Sequence, residues 1–290
     1  MNTIWITGSK GQLGTELQIQ QEKLTDTRFL FTDIEELDLT NKQAVIDFTL
    51  KEKPAVIINC AAYTAVDKAE EEPDKAFLLN RDIPAFLTEA AEKAHAILIH
   101  ISTDYVFDGT ANSPYNETDK TNPQSEYGKS KLAGEIAVLE GARNLVIRTS
   151  WMYSAHGQNF LKTMLRLGKE REEIGVVSDQ VGSPTSAADF ANALLEISKQ
   201  ILEGKKDAGG IYHYSNEGIC SWYDFARAIM ETAKLDCKVN PITAAQYPAP
   251  AKRPQYSVFD KGKIINTFGI NIPPWELGLS NTYSQLMRQQ

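Results

Sequence analysis

The sequence predicts an α/β fold built on a doubly wound parallel sheet. Short apolar segments of strand length recur through the first half of the chain, and segments of helical length separate them. Strands that are buried on both faces are apolar throughout, and their alternation with helices is typical of parallel sheets. A glycine-rich turn between the first strand and the first helix supports the same fold. The predicted strands are 3–7, 29–32, 56–62, 96–102 and 145–148.

Composition limits the classes of partner. The chain has 290 residues, enough for a large core in one or two domains, and a net charge of −8. This charge argues against nucleic acid or a membrane as the main partner, because both select basic surfaces. Three widely spaced cysteines without a C-x-x-C pair predict neither a zinc site nor a disulfide framework. With no signal peptide and no membrane-spanning run, we expect a cytoplasmic protein.

The glycine turn has the spacing G-x-x-G-x-x-G, at Gly8, Gly11 and Gly14. Glycines let the backbone approach a pyrophosphate, whose charge the following helix N-terminus can bind. A plain left-handed turn is the alternative, but the position directly after the first strand favours the nucleotide. We therefore predict a Rossmann-type dinucleotide-binding domain over residues 1–150.

Two acidic residues follow the second predicted strand. Asp33 ends it, and an acid there typically meets the adenosine ribose hydroxyls, which favours NADH. Lys10 in the glycine turn can instead neutralise a 2′-phosphate, so NADPH stays open. Asp38 either caps the predicted helix 42–51 or, with Leu39, lines the adenine site.

The central strands end in residues suited to a ligand. Ala61 and Ala62 let a flat ligand lie against the backbone after strand 56–62. Strand 96–102 runs into Thr103 and Asp104. A hydroxyl pair, Ser102 and Thr103, followed by an acid lies where open α/β sheets place their chemistry.

Tyr127 and Lys131 are the candidate catalytic pair. They are four residues apart, which places both on one face of a helix that we expect to reach about residue 140. A nearby ammonium lowers the pKa of a phenol, so the pair can exchange a proton with a substrate oxygen. Y-x-x-x-K alone is a weak signal, and the features above strengthen it. His100 and His156 have no acid at a useful spacing, so we predict neither as a base.

The second half of the chain predicts a smaller lobe over the carboxyl edge of the sheet. Residues 151–290 are expected to form mainly this substrate-binding lobe, interleaved with the last sheet strands, and ligand sites favour such clefts. Its predicted elements are helices 159–170, 187–200 and 221–235 (the last capped by Ser221), strands 174–180 and 210–214, and an irregular Pro-rich segment 241–254.

These motifs occur in the order found in the extended short-chain dehydrogenase/reductases. Several segments resemble more specifically the dTDP-4-dehydrorhamnose reductase family within that group, and together they extend over nearly the whole chain. The matching segments are Gly11-Gln12-Leu13-Gly14, Ala61 to Glu70, Ser102 to Gly109, Arg148-Thr149-Ser150-Trp151, Gly182-Ser183-Pro184-Thr185 and Arg253-Pro254.

The resemblance implies hydride transfer from NADPH or NADH to the 4-keto carbon of dTDP-4-dehydro-L-rhamnose. Tyr127 would protonate the alkoxide, Lys131 would lower the pKa of Tyr127 and hold the nicotinamide ribose, and Thr103 would bind the keto oxygen. Asp104 and Trp151 would contact the sugar nucleotide, and Arg253 its diphosphate. The dinucleotide would be lined by Gly8, Gly11, Gln12, Leu13, Gly14, Asp33, Asp38, Leu39, Ala62, Tyr63, Thr64 and Ser102, together with the Tyr127 and Lys131 pair.

The resemblance also bears on assembly and product. The product would be dTDP-L-rhamnose for a cell-surface polysaccharide, and a homodimer is allowed. Some members of the family dimerise through a metal bound by acidic residues. Glu16 can supply one ligand, but no acid follows Glu276, so we expect no metal.

Two other functions remain open. The first is an NAD-dependent epimerase or dehydratase acting on another nucleotide sugar. A dehydratase would need an acid pair beside Thr103, where only Asp104 follows. The second is a non-enzymatic regulatory subunit with the same fold. Loss of Tyr127 or Lys131 would mark that class, and both are present.

Overall fold

A computed structural model describes residues 1–205 and 207–289 of the chain. Its strands are β1 (Asn2–Thr7), β2 (Thr27–Thr32), β3 (Val56–Asn59), β4 (Ile97–Thr103), β5 (Leu145–Thr149), β6 (Met152–Tyr153), β7 (Glu173–Val177), β8 (Val181–Gly182), β9 (Thr185–Ser186), β10 (Gly210–His213), β11 (Cys220–Ser221) and β12 (Lys238–Ile242). Its helices are α1 (Gln12–Gln20), α2 (Lys42–Glu52), α3 (Pro73–Phe77), α4 (Ile83–Ala94), α5 (Glu126–Leu139), α6 (Phe160–Glu170), α7 (Ala187–Leu202), α8 (Trp222–Ala233), α9 (Gly262–Phe268) and α10 (Trp275–Arg288).

The main sheet has six parallel strands in the order β10-β5-β4-β3-β1-β2. The chain moves from β1 outward to β2 and then returns to β3 on the other side of β1. The strand order therefore reverses between β1 and β3, which is where open α/β sheets bind ligands. The predicted doubly wound sheet is confirmed.

Helices cover both faces of this sheet because its strands are apolar on both sides. On β1, Ile4 and Ile6 pack with α1, α7 and α9, whereas Trp5 packs with α2, α4 and α5 on the opposite face. Since α7, α9 and β10 come from the second half of the chain, that half completes the sheet. None of the helices within residues 1–205 and 207–289 is long and apolar enough to cross a membrane.

A second apolar core lies in the C-terminal half. It is formed by side chains of α6, α8 and α10 with β7, and it includes Phe225, Leu161 and Trp275. Helix α8 begins with a complete capping box, in which Ser221 and Asp224 bind each other's backbone N–H groups. The predicted Ser221 cap is confirmed.

The cap that we considered for α2 was wrong. Asn41 caps this helix by accepting a hydrogen bond from the Ala44 N–H at 3.1 Å. Asp38 instead accepts from the N–H and hydroxyl of Thr40, at 2.9 and 2.7 Å. Asp38 and Asn41 can both cap a helix and are only three residues apart. Asn41 lies three residues before Ala44, whose N–H belongs to the first helical turn, and this is the spacing of a helix cap. Asp38 is therefore free of any capping role.

A buried ion pair fixes α5 to the sheet. Arg148 of β5 donates from Nε and Nη2 to the two carboxylate oxygens of Glu135 on α5, at 2.9 and 2.7 Å. The Ser102 hydroxyl at the end of β4 donates to the same carboxylate at 2.5 Å. The two charged side chains are 2% and 1% exposed. Because Glu135 lies two turns beyond Tyr127, the pair positions the face of α5 that carries Tyr127 and Lys131.

We predict that Glu135→Gln destabilises the fold by about 3–5 kcal/mol, because it leaves the buried Arg148 charge unpaired. Urea or thermal unfolding followed by circular dichroism measures this loss.

The matched control is Glu231→Gln, which breaks the exposed Arg227–Glu231 pair on α8. That change should cost at most about 1 kcal/mol, as exposed pairs do. Equal costs for the two variants would contradict a structural role for the buried pair.

Candidate active site

Two adjoining cavities open at the carboxyl ends of β1, β3 and β4. One has a volume of about 430 Å³ and the other about 460 Å³. Both are lined by Gly8, Gly11, Cys60 and Ala62, so the glycine turn lies where they meet. Together they form a trough that follows the edge of the sheet.

The glycine turn needs glycine at its two ends. Gly8 has a φ of +62°, and a Cβ there would lie 2.6 Å from the Ala61 nitrogen. A Cβ on Gly14 would lie 2.4 Å from the Gly8 carbonyl oxygen. Helix α1 begins directly after Gly11, which has no side chain to bind the first N–H groups. These N–H groups and the helix dipole suit a pyrophosphate.

The smaller cavity suits an adenosine. Asp33 lies at its wall, and its carboxylate accepts hydrogen bonds from the N–H groups of Lys10 and Ile34, at 3.0 and 2.9 Å. Asp38 and Leu39 also line this cavity. The Lys10 ammonium forms exposed ion pairs with Glu35 and Glu36 rather than with Asp33. The cavity, the glycine cradle and Asp33 together fit a dinucleotide.

The larger cavity holds the predicted catalytic residues Thr103, Tyr127 and Lys131. Tyr127 is 8% exposed and lies with Thr103 in the wall of this cavity. Burial raises the pKa of Tyr127 to about 12. The phenol therefore carries its proton at neutral pH, as an acid catalyst requires.

The effect of Lys131 on the pKa of Tyr127 stays a prediction, since burial is the largest cause of the shift of Tyr127 in this structure. The Lys131 Nζ donates to the Ile101 carbonyl at 2.6 Å and lies 3.4 Å from the Nε2 of His100. Burial lowers the pKa of Lys131 to about 8. Desolvation dominates both residues, because each is enclosed between α5 and the end of β4.

Asp104 presents an unused acceptor at this site. Its Oδ1 accepts from the Thr103 hydroxyl at 3.0 Å, whereas its buried Oδ2 has no partner among the described residues. Burial raises the pKa of Asp104 to about 6. Asp104 lines the larger cavity, so its carboxyl group is a candidate partner for a hydroxyl group of a ligand.

Trp151 forms an aromatic wall on the side of the C-terminal lobe. Its ring stacks on Trp222 at a centroid distance of 3.7 Å, and both rings line the larger cavity. Trp151 has a φ of +49°, and a Cβ on Gly182 would lie 2.8 Å from its ring. Gly182 thus makes room for Trp151. We did not single out Trp222 from the sequence, where its position after a helix cap carries no functional signal.

Two predicted residues, Tyr63 and Arg253, line neither of these cavities. Asn80 holds Tyr63 by hydrogen bonds to its N–H and C=O at 2.9 and 3.0 Å, while the Tyr63 hydroxyl donates to Glu72. Arg253 donates to Asp67 at 2.8 Å and lines a third cavity of about 430 Å³. The other predicted residues line one or both cavities: Gly8, Gly11, Gln12, Leu13, Gly14, Asp33, Asp38, Leu39, Ala62, Thr64, Ser102, Thr103, Asp104, Tyr127, Lys131 and Trp151.

His156 has an acidic neighbour that its sequence spacing does not reveal. Its Nε2 lies 3.6 Å from Glu16 Oε1, a residue 140 positions earlier in the chain. Glu16 is buried and accepts a hydrogen bond from the Ser154 hydroxyl at 3.0 Å. Sequence spacing cannot reveal a pair that tertiary structure forms.

Comparisons with known proteins identify the family of this chain. The family described as RmlD substrate binding domain matches residues 1–288. A dTDP-4-dehydrorhamnose reductase from Aggregatibacter actinomycetemcomitans is 44% identical, over 97% of this chain and 98% of that protein.

Two crystal structures are similar over almost the whole chain. A dTDP-4-dehydrorhamnose reductase from Clostridium acetobutylicum has a TM-score of 0.93 at 44% identity, covering 98% of this chain and 99% of that one. The enzyme of the same name from Bacillus anthracis, in complex with NADP, has a TM-score of 0.91 at 40% identity, covering 98% and 100%. The resemblance read from the sequence motifs is confirmed, and the chain belongs to the RmlD family of dTDP-4-dehydrorhamnose reductases.

Proposed function

We propose that the protein reduces the 4-keto group of dTDP-4-dehydro-L-rhamnose to give dTDP-L-rhamnose, with NADPH or NADH as cofactor. The product would serve a rhamnose-containing cell-surface polysaccharide. The observation that carries the proposal is the meeting of Thr103, Tyr127 and Lys131 in a cavity that continues into the glycine cradle. The identity of the substrate is inferred from the names of the relatives.

Each catalytic residue has a distinct role in the proposed reduction. The bound cofactor supplies a hydride. Tyr127, which is protonated at neutral pH, donates its proton to the oxygen of the former keto group. The Thr103 hydroxyl, which lies beside Tyr127 in the same cavity, orients that oxygen. Lys131 holds the nicotinamide ribose.

The dinucleotide would lie along the trough. We assign its pyrophosphate to the glycine turn and the N-terminus of α1, and its adenosine to the wall formed by Asp33, Asp38 and Leu39. Asp33 favours NADH, since a carboxylate accepts ribose hydroxyls and repels a 2′-phosphate. Lys10 can bind that phosphate by leaving its exposed glutamate partners. Both cofactors are therefore expected to work.

The sugar nucleotide would lie between the catalytic residues and the C-terminal lobe. Asp104 Oδ2 accepts a sugar hydroxyl, and Trp151 packs its face against the apolar side of the sugar. Arg253 is proposed to bind the diphosphate. Its planar guanidinium, which pairs with Asp67 in this structure, would then pair with a phosphate instead. We keep residues 151–290 as mainly the substrate-binding lobe. A homodimer and a cytoplasmic location stay predictions.

The alternatives are less well supported. A dehydratase would need a second acid beside Asp104, where the chain has Tyr105. A regulatory subunit would not need the buried Tyr127 and Lys131 pair.

The first test is an assay of NADPH and NADH oxidation with a panel of nucleotide 4-keto sugars. We expect turnover with dTDP-4-dehydro-L-rhamnose to exceed that with the other nucleotide sugars. Preferred turnover of a different sugar would assign another substrate. No oxidation with any of them would leave the regulatory alternative.

The second prediction concerns the proton donor. Tyr127→Phe keeps the ring and removes the acid, so turnover should fall by about 100-fold or more, the scale of a general acid. NADPH affinity, measured by fluorescence titration, should change little. Tyr223→Phe on α8, outside the cavity linings, is the matched control and should keep its turnover. Near-normal turnover of the Tyr127 variant would contradict the assignment of Tyr127 as the proton donor.

The third prediction concerns Arg253. Arg253→Lys should raise the Michaelis constant for the nucleotide sugar and spare that for NADPH, because an ammonium cannot copy the bidentate contact. Arg227→Lys, in an exposed pair on α8, is the control and should change neither constant. An unchanged sugar-nucleotide constant in the Arg253 variant would place the diphosphate elsewhere.

A further inference from the structure

A line of buried polar side chains leads from β1 to Lys131. Thr7 of β1 donates to Asn59 of β3, Asn59 contacts His100 of β4, and His100 contacts the Lys131 Nζ. The three separations are 2.7, 3.0 and 3.4 Å, and all four residues are at most 2% exposed. The reaction proposed above uses only Lys131 from this line.

The orientation of the Asn59 amide is fixed by its neighbours. Its Oδ1 accepts from the Thr7 hydroxyl and from the Ala61 N–H, at 2.7 and 3.2 Å. A backbone N–H can only donate, so Asn59 cannot reverse its amide without placing two donors together. The Asn59 Nδ2 must therefore donate to the Nδ1 of His100.

This contact fixes the tautomer of His100. A nitrogen that accepts a hydrogen bond carries no proton, so the proton of the neutral ring is on Nε2. The ring is neutral because burial holds the pKa of His100 well below its ordinary value. An N–H donor thus points at the Lys131 Nζ from 3.4 Å.

An N–H donor beside Lys131 favours an amine over an ammonium. An ammonium offers only donors, whereas an amine has a lone pair that can accept the Nε2–H. The Ile101 carbonyl accepts a hydrogen bond from either form.

The other titratable groups near Lys131 do not cancel this preference. Glu135 on α5 favours the ammonium, but its carboxylate is shared with Arg148 and Ser102. Burial raises the pKa of the Cys60 thiol to about 12, so this group is uncharged.

We propose that His100, held in one tautomer by Asn59, is a positioning residue that favours the uncharged amine of Lys131 on the Ile101 carbonyl in the cofactor-free protein. The ribose hydroxyls of the cofactor then offer acceptors that favour the ammonium. Binding therefore shifts Lys131 toward the ammonium and takes up from the buffer a fraction of a proton that rises with pH. This inference rests on the proposed cofactor site and is independent of which sugar is reduced.

The pH window follows from the direction of the shift. Lys131 has a pKa of about 8 in the free protein, and cofactor binding raises it. Below about pH 7 the free protein already carries the proton, so binding takes up none. Uptake should reach about half a proton at pH 8 and approach one proton at pH 9, where cofactor affinity falls as pH rises.

Isothermal titration calorimetry with NADP⁺ measures this uptake. At the same pH, the binding enthalpies in HEPES and in Tris differ by the number of protons exchanged multiplied by the difference between the ionisation enthalpies of the two buffers. NADP⁺ is not turned over alone, so the readout is independent of activity. Absence of binding heat and of competition with NADPH would contradict the cofactor site itself. Binding without proton uptake in the wild-type protein at pH 8 and 9 would overturn the role of His100.

The diagnostic variant is His100→Gln. A glutamine side chain can turn its carbonyl to Lys131, which favours the ammonium, so uptake at pH 8 should fall below about 0.2 proton. His213→Gln is the matched control, since His213 is also a buried histidine of the sheet but contacts Arg148. The control should retain wild-type uptake. Equal uptake by His100→Gln and the wild type would overturn the proposal.

A second variant reverses the tautomer and keeps His100. Asn59→Asp retains acceptors for Thr7 and the Ala61 N–H, but it presents a carboxylate oxygen to Nδ1. The ring proton should then move to Nδ1 and leave Nε2 as an acceptor for the Lys131 ammonium. Loss of uptake at pH 8 is again expected, with folding verified by thermal unfolding. Wild-type uptake in this variant would overturn the proposal.

Discussion

The buried pair between Glu135 and Arg148 is the interaction on which the site depends. It joins α5 to β5, and through the Ser102 hydroxyl it also joins α5 to the end of β4. Tyr127, Lys131 and Glu135 follow one another at four-residue intervals on a single helical face. Fixing Glu135 therefore fixes the distance of the other two from Thr103. A charge buried at 1% exposure is costly unless paired, so this arrangement tolerates little movement.

Burial also sets the charge state of the catalytic groups. It raises the pKa of Tyr127 and Asp104 and lowers that of Lys131, so each shift favours the neutral form. With pKa values of about 6 and about 8, Asp104 and Lys131 are still mostly charged at pH 7, whereas Tyr127 keeps its proton. The Lys131 ammonium is lost from the free protein only as the pH rises through about 8, and we propose that cofactor binding restores it there.

The sequence allowed the sheet and the glycine cradle to be predicted because both depend on local patterns. Apolar runs mark buried strands, and only glycine fits positions such as Gly8 and Gly14. Contacts between distant residues were beyond reach. Arg253 pairs with Asp67, 186 positions away, and Trp222 joins the site only when α8 packs beside Trp151. The role of His100 depends on Asn59, which a neighbouring strand supplies.

The most direct measurement of the proposed reaction follows a hydride. The enzyme would be given dTDP-4-dehydro-L-rhamnose and NADPH deuterated on one face at C4 of the nicotinamide, with the opposite face as a second sample. Nuclear magnetic resonance of the product should show deuterium at C4 of the sugar from one sample only, because Tyr127 and Thr103 hold the keto oxygen on one side of a fixed cofactor. Turnover that leaves C4 unlabelled in both samples, or labels it from both, would contradict direct hydride transfer at this site.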